Sequence, residues 1–176
     1  MNVRGRYSWL TTMVLLAVFV TACAKKVPPP PPPPPAPKPA PPPPPAPLSE
    51  DELFARKSLD QLNAEMPLSD VSFAYDMSTI MDDQRAILQK NADWMRRWTS
   101  TRVSIEGHAD ARGTNEYNLA LGDRRARAVM DYMVSLGIAA DRMVVVSKGE
   151  EAPLCTETTE ACYARNRRGH FVITAK

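Results

Sequence analysis

The chain has 176 residues, with 22 Lys and Arg against 20 Asp and Glu for a net charge of +2, and 18 prolines. Its small basic excess lies outside the part able to fold: from Ser49 onward, without Arg4, Arg6, Lys25, Lys26 and Lys38, 17 basic residues stand against 20 acidic ones. That balance gives no support to nucleic-acid binding, which calls for a basic face.

At the N-terminus, Arg4 and Arg6 precede an apolar, uncharged run from Trp9 to Ala22. As a helix this run spans ~21 Å, short of a ~30 Å hydrocarbon core. Residues 1–22 therefore read as a secretory signal peptide and not as a membrane span. The run ends Val20-Thr21-Ala22-Cys23, which resembles the bacterial lipoprotein processing box. The competing reading is ordinary cleavage after small residues with a chance Cys nearby. In lipoprotein signals Cys23 becomes the lipid-modified first residue. Ala24 follows where an Asp would imply inner-membrane retention, so the resemblance implies the outer membrane, with the folded part facing the periplasm. Two or more acyl chains suffice for stable anchoring, each buried methylene adding ~0.8 kcal/mol.

Residues 23–48 form a spacer behind that anchor. From 28 to 47 it is proline broken only by Ala36, Lys38, Ala40 and Ala46. Proline lacks the amide donor and fixes φ, so the tract builds no core and reads as a polyproline II rod with a reach of ~60 Å. A ligand for proline-binding domains is the alternative; the position between anchor and domain favours a semi-rigid spacer.

Residues 49–176 are long enough for one domain with its own core. Ser49 with Glu52 makes a capping-box pattern, predicting a helix over 50–65 that ends before Pro67. Val71, Phe73 and Tyr75 alternate with small or polar residues, predicting a strand over 70–76. A helix follows over 80–98, with Ile87, Leu88, Ala92 and Met95 on one face. Val103 and Ile105 mark a strand over 102–107. A helix over 115–136 carries a stripe of Tyr117, Leu121, Ala128, Val129, Tyr132, Met133 and Leu136, with Gly137 as its stop. A strand over 142–147, a loop with two cysteines, a short helix at 160–166 and a strand over 168–174 complete the chain. The order predicts an α/β fold, an α+β sandwich in which a four-stranded mixed sheet carries its helices. Cys155 and Cys162, an even pair in an oxidising compartment, point to a disulfide worth ~2.5 kcal/mol by loop-closure entropy. A metal site would need two more ligands, and only His108 and His170 exist; a catalytic thiol would call for a His neighbour that neither Cys has in sequence.

The densest polar stretch is 107–126, GHADARGTNEYNLALGDRRA. Asp110 follows a strand, while Asn118, Leu121, Gly122 and Arg125 recur at helical spacing and share a face. A carboxylate, an amide and a guanidinium so placed suit a zwitterionic ligand: the Arg fork holds a carboxylate and the Asp accepts from an ammonium. The plainer alternative is an Asp110–Arg125 salt bridge that pins the loop to the helix.

This stretch resembles the signature of the family of peptidoglycan-associated lipoproteins and outer-membrane protein A-like C-terminal domains, roughly G-H-x-D-x-x-G…N-x-x-L-[SG]-x-x-R-A. Gly107, His108, Asp110, Gly113, Asn118, Leu121, Gly122, Arg125 and Ala126 carry it. VSFAYD at 71–76, SKGEEAP at 147–153 and NRRGHFVI at 166–173 match the family's other blocks in order. The resemblance covers about residues 70–174 and implies a βαβα(α)β-type domain. It implies non-covalent binding of peptidoglycan at the diaminopimelate of the stem peptide. Asp110 would then accept from the diaminopimelate ammonium and Arg125 would hold its carboxylate. Asn118 and Leu121 would line the pocket, and Asp76 and Arg168 would complete it; His108 would be structural. Departures are Lys148, where the lipoprotein branch often has Tyr, the cysteine pair, and Arg112 beside Asp110.

Several function classes follow. One is a wall-binding tether, anchored in the outer membrane through lipid on Cys23. Another is a periplasmic interaction scaffold without wall binding. The family also implies a Tol-type propeller partner, alternating with the wall. An enzyme would need a nucleophile with a base or a paired carboxylate set, and neither is evident. A proline-rich energy-coupling arm would need a retained membrane helix. No cofactor and no metal are expected.

Overall fold

The computed structural model describes residues 28–32, 34 and 47–176. The signal segment, the lipidation residue Cys23 and most of the proline tract lie outside the described residues. No helix among the described residues is long and apolar enough to cross a membrane.

Ser49 caps α1 (Glu50–Arg56) with a complete capping box, its side chain accepting from Glu52 N while Glu52 accepts from Ser49 N. A single helix over 50–65 does not form. Ser58 and Gln61 make a second capping box that starts a new helix, α2 (Leu59–Glu65), across an extended Lys57. The Ser-x-x-Gln spacing at 58–61 is thus a local instruction to restart the helix.

The sheet is mixed, in the order β1-β4-β2-β3. The strands are β1 (Val71–Ser72), β2 (Arg102–His108), β3 (Met143–Gly149) and β4 (Arg168–Ala175). β2 and β3 run parallel, joined by a crossover through the long helix α4 (Asn115–Ser135), and β4 runs antiparallel to both β1 and β2. Val103 and Ile105 on β2 face Ile173 and Phe171 on β4, so the apolar residues of both strands point to one side of the sheet. Against that side pack Leu88, Ala92 and Met95 of α3 (Asp82–Arg97) and Ala126, Val129 and Met133 of α4. The core cluster draws entirely on residues between Leu62 and Ile173, and Ala46–Lys176 is one compact unit.

β1 is shorter than the alternation predicts. The ladder ends at Ser72, Phe73 N donates to Arg167 O, and the chain then turns through Asp76 at φ +58°. Phe73 remains buried, but Tyr75 stands 58% exposed, so the third apolar position of the alternation belongs to a turn.

α4 meets the sheet backbone to backbone. A Cβ on Gly107 would lie 1.8 Å from Gly122 O, and one on Gly122 would lie 2.5 Å from Gly107 O. Only glycine permits this approach, and Ser147 Oγ reinforces it by donating to Leu119 O at 2.6 Å. The inward face of α4 also differs from the predicted stripe. Tyr117 is exposed, and Ala128, Tyr132 and Leu136 are only partly buried. The buried face is Asn118, Leu121, Gly122, Arg125, Ala126, Val129 and Met133, polar in its first half.

Candidate functional site

Three segments meet at the N-terminal end of α4: the turn after β1, the loop after β2, and the first three turns of the helix. Gly113, at φ +112°, bends the loop, and Thr114 caps α4 by accepting from Tyr117 N. Together they enclose a cavity of about 240 Å³. Tyr75 and Asp76 come from the turn, Asp110 and Arg112 from the loop, and Tyr117, Asn118, Leu121 and Arg125 from the helix.

Arg125 is the floor, completely buried. Its Nε donates to Met77 O at 2.8 Å, Nη1 to His108 O at 2.8 Å and Nη2 to Ala74 O at 3.1 Å. Two of these carbonyls belong to the turn after β1 and one to the end of β2. One side chain therefore holds both cavity-forming segments at a fixed distance from the helix. Burial pulls its pKa down to about 10, against the opposing pull of Asp110, and it stays protonated at neutral pH.

The simple Asp110–Arg125 salt bridge is not what pins the loop; the two make no ion pair. Asp110, 4% exposed, pairs instead with Arg112 and Arg167. Its Oδ1 accepts from Arg112 N and Nε, both at 3.1 Å, and its Oδ2 accepts from Arg112 Nη2 at 2.6 Å and Arg167 Nη1 at 3.1 Å. Burial pushes the Asp110 carboxyl up, but the hydrogen bonds from Arg112 and Arg167 outweigh it and hold it below the usual carboxylate range. Asp76 lies at the exposed rim and accepts from Tyr117 Oη, which raises the Tyr117 pKa. Asn118 is buried and donates to Glu150 at 2.8 Å.

Of the residues singled out in the sequence, Asp76, Asp110, Asn118, Leu121 and Arg125 line one cavity. Arg168 does not. Gly169, Phe171 and Ile173 point to the core side of β4, and the strand's alternation turns Arg168 to the outer face. There it lies 3.4 Å from Asp70 Oδ2 and 3.4 Å from Ala152 O. Its neighbour Arg167, at the end of α5 (Glu160–Asn166), makes the contact with Asp110. In the doublet Arg167-Arg168 one residue of offset changes the face, and sequence spacing does not say which is which. Sequence reasoning also missed Tyr75, Tyr163 and Glu160. The Arg112 guanidinium lies 4.1 Å from the Tyr75 ring and 4.3 Å from the Tyr163 ring, with Glu160 Oε2 at 3.2 Å.

On the outer face of β2 the His108 ring is 2% exposed and without a hydrogen-bond partner. Burial, then the positive charge of Arg168 and the neighbouring His170 ring, lower its pKa to about 4, while Asp70 opposes them. It is neutral at pH 7, and its link to the loop is its backbone carbonyl on Arg125. Lys148 pairs with Glu106 at 3.5 Å, outside the cavity lining. The Cys155–Cys162 disulfide, with Cα atoms 5.8 Å apart, joins the loop after β3 to α5. Among the described residues no group of three or more His, Cys, Asp or Glu is placed to hold a metal ion.

The sequence profile described as "OmpA family" matches residues 72–167. A Brucella melitensis biotype 1 protein named peptidoglycan-associated lipoprotein is 43% identical over 103 residues, 58% of this chain and 61% of its own length. A protein of the same name from Rhizobium meliloti is also 43% identical over 103 residues, 58% of each chain. The chain thus spans about three fifths of the length of the curated relatives it matches. The crystal structure of the peptidoglycan-associated lipoprotein from Burkholderia pseudomallei superposes with a TM-score of 0.60 at 36% identity, covering 66% of this chain and 98% of that one. The cell wall anchor of the T6SS from Pseudomonas aeruginosa shares the fold at 23% identity and a TM-score of 0.53, covering 67% and 94%.

Proposed function

We propose that this chain, which belongs to the OmpA family, binds peptidoglycan non-covalently and receives the free end of a stem-peptide diaminopimelate in the cavity at the head of α4. That end carries an ammonium and a carboxylate on one carbon. The observation that carries the reading is the composition of the cavity: two carboxylates, Asp76 and Asp110, and two guanidiniums, Arg112 and Arg125, around about 240 Å³. Such a lining suits a small zwitterion and is poor for an apolar ligand. Relatives of the chain are named for association with peptidoglycan, which supports the same reading.

In this reading Asp110 accepts from the ammonium. Arg125 has five N–H groups, three of them on carbonyls, and the remaining two serve the carboxylate from below. Asn118 and Leu121 form the wall between them, and Asp76 lies at the rim. With lipid on Cys23 and the proline tract as spacer, the domain tethers the outer membrane to the wall from the periplasmic side.

The test is co-sedimentation of the soluble domain from Ser49 to Lys176 with purified sacculi. Free meso-diaminopimelate should compete the domain off, and cadaverine, which carries the two ammoniums without either carboxylate, should compete poorly. Retention on sacculi that neither compound disturbs would place the wall contact outside this cavity. Failure to sediment at all would leave the interaction-scaffold alternative.

A further inference from the structure

The carboxylate expected to receive the ligand ammonium is already full. A carboxylate offers about four acceptor positions. Asp110 accepts four hydrogen bonds, three of them from Arg112 and one from Arg167. An ammonium can therefore join Asp110 only by taking a position that a donor gives up.

The donors differ in how readily they leave. Arg167 is buried, with Nε on Phe73 O at 3.0 Å and Nη2 on Glu160 at 2.8 Å, so its departure would orphan other groups. The Arg112 backbone N–H is part of the loop's own turn. The Arg112 side chain is different. It is one-third exposed, lines the cavity, and has a route out: its guanidinium lies between the Tyr75 and Tyr163 rings, and its Nη1 is already 3.2 Å from the exposed carboxylate of Glu160. Two aromatic faces and a second carboxylate offer the cation a resting place once it leaves Asp110.

Resting on the stem-peptide reading above, we propose that Arg112 is an internal counter-cation seated on Asp110, and that the ligand ammonium binds by displacing its side chain onto Glu160. One cation replaces another, so the buried carboxylate is never left bare. The exchange sets a threshold for entry. A ligand without an ammonium gains nothing at Asp110 and leaves the guanidinium in place; a zwitterion opens the site. Tyr163, which meets the cavity through Arg112, and Glu160, which meets it through Arg112 and Arg167, become determinants of affinity as positioning residues.

The experiment is calorimetric titration of meso-diaminopimelate into the Ser49–Lys176 domain, whose core lies wholly within it. Arg112→Ala removes the competitor and should tighten binding by on the order of fivefold, the worth of one partly exposed ion pair. Glu160→Gln removes the resting place and should weaken it to a similar extent. With diaminopimelate acetylated on both amines, the gain from Arg112→Ala should vanish. Arg112→Gln, which keeps the stem and drops the charge, repeats the test if Arg112→Ala melts early. Weaker binding by both Arg112 variants would overturn the proposal and make the guanidinium a direct clamp on the ligand. Unchanged affinity in both would overturn it as well. Absence of binding in the wild type and every variant would bring down the stem-peptide reading, and this proposal with it. Binding by the wild type without the gain defeats the displacement alone.

Discussion

The two halves of α4 present the same face to the same sheet, yet they bury opposite chemistry. From Ala126 to Met133 that face is apolar and joins the core with Val103, Ile105 and Phe171. From Asn118 to Arg125 it buries an amide and a guanidinium as completely as its neighbours bury methyl groups. The difference lies in what each half faces. The second half faces strand side chains whose backbone is already paired in the sheet. The first half faces the ends of β1 and β2, where the chain turns and its carbonyls have no ladder partner. Arg125 supplies those partners. A polar residue on the buried face of an amphipathic helix is here the mark of where the sheet stops and the site begins.

The point where the halves meet is the first place to break this arrangement. Gly107→Ala puts a Cβ 1.8 Å from a backbone oxygen of Gly122, with no flexible side chain to yield. We expect loss of several kcal/mol, sufficient to leave the domain unfolded or strongly depleted at 37 °C. Circular dichroism and soluble yield measure it; a near-normal melt would mean that α4 can lift from β2 without harm.

Arg125→Ala compares the halves directly with Val129→Ala one turn further on. The first takes the Arg125 donor from Met77 O and His108 O, and from Ala74 O, which keeps only Met77 N, and should cost about 3–5 kcal/mol. The second removes two buried methyl groups and should cost about 1–3 kcal/mol. After correction for the folded fraction, only Arg125→Ala should reduce sacculus binding, because only the first half shapes the cavity. Arg125 is thus both floor and fastener, so early melting of its variant does not argue against a ligand role. Equal, stability-linked losses of binding in both variants would remove the functional distinction between the halves.

The outer face of β2 adds a pH dependence that the apolar half lacks. His108 titrates near 4 in the fold against an ordinary value of 6.5. Between those values the unfolded chain takes up a proton that the folded chain refuses, so stability falls as pH drops from about 6.5 to about 4, by ~3 kcal/mol in all. Asp110 acts further down. Its pKa is held below the usual range, so its contribution is present above about pH 4 and is lost below. Denaturant midpoints measured from pH 7 to pH 4 should decline in the wild type and stay flatter in His108→Gln. Parallel declines would assign the acid sensitivity to other groups.

Most of the chain's order was legible from periodicity and turn residues: α3, β2, α4, β3, α5 and β4 lie within about two residues of their predicted bounds. The differences share a cause. Ser58 with Gln61 restarts a helix, Asp76 in the left-handed region ends a strand, and Arg125 sits where the stripe expects a hydrocarbon. In the first and last a side-chain hydrogen bond to the backbone decided the structure, in the second a left-handed turn did, and apolar periodicity carries no record of either. The site was legible as a set of residues and not as a set of pairs. Asp110 and Arg125 line one cavity, but each takes other partners, because which of several arginines reaches a carboxylate depends on strand faces and loop ends.

The smallest expected effect concerns the loop opposite the cavity from α4. The disulfide closes a short loop, and loop-closure entropy alone gives it ~2.5 kcal/mol, or a drop on the order of 10 °C in Tm on reduction. The native contacts argue for no more than that. Asn166 accepts from Leu154 N at 2.8 Å and Cys155 N at 3.3 Å, and donates to Cys155 O at 2.9 Å, so the strap is held to α5 independently of the sulfur bond. Arg167 fixes the end of α5 to Asp110 and to Phe73 O. Glu160 and Tyr163 therefore keep their places beside Arg112 when the bond is opened. The reduced domain should melt earlier yet bind sacculi as tightly as the oxidised one at 25 °C, where both are folded. The reduced thiols should be alkylated before the comparison, so that re-oxidation does not restore the bond. Asn166→Ala in the oxidised protein is the converse control: it keeps the sulfur bond and removes the three hydrogen bonds. If reduction weakens binding at a temperature where the fold is intact, the covalent bond, and not Asn166, positions α5 against the cavity.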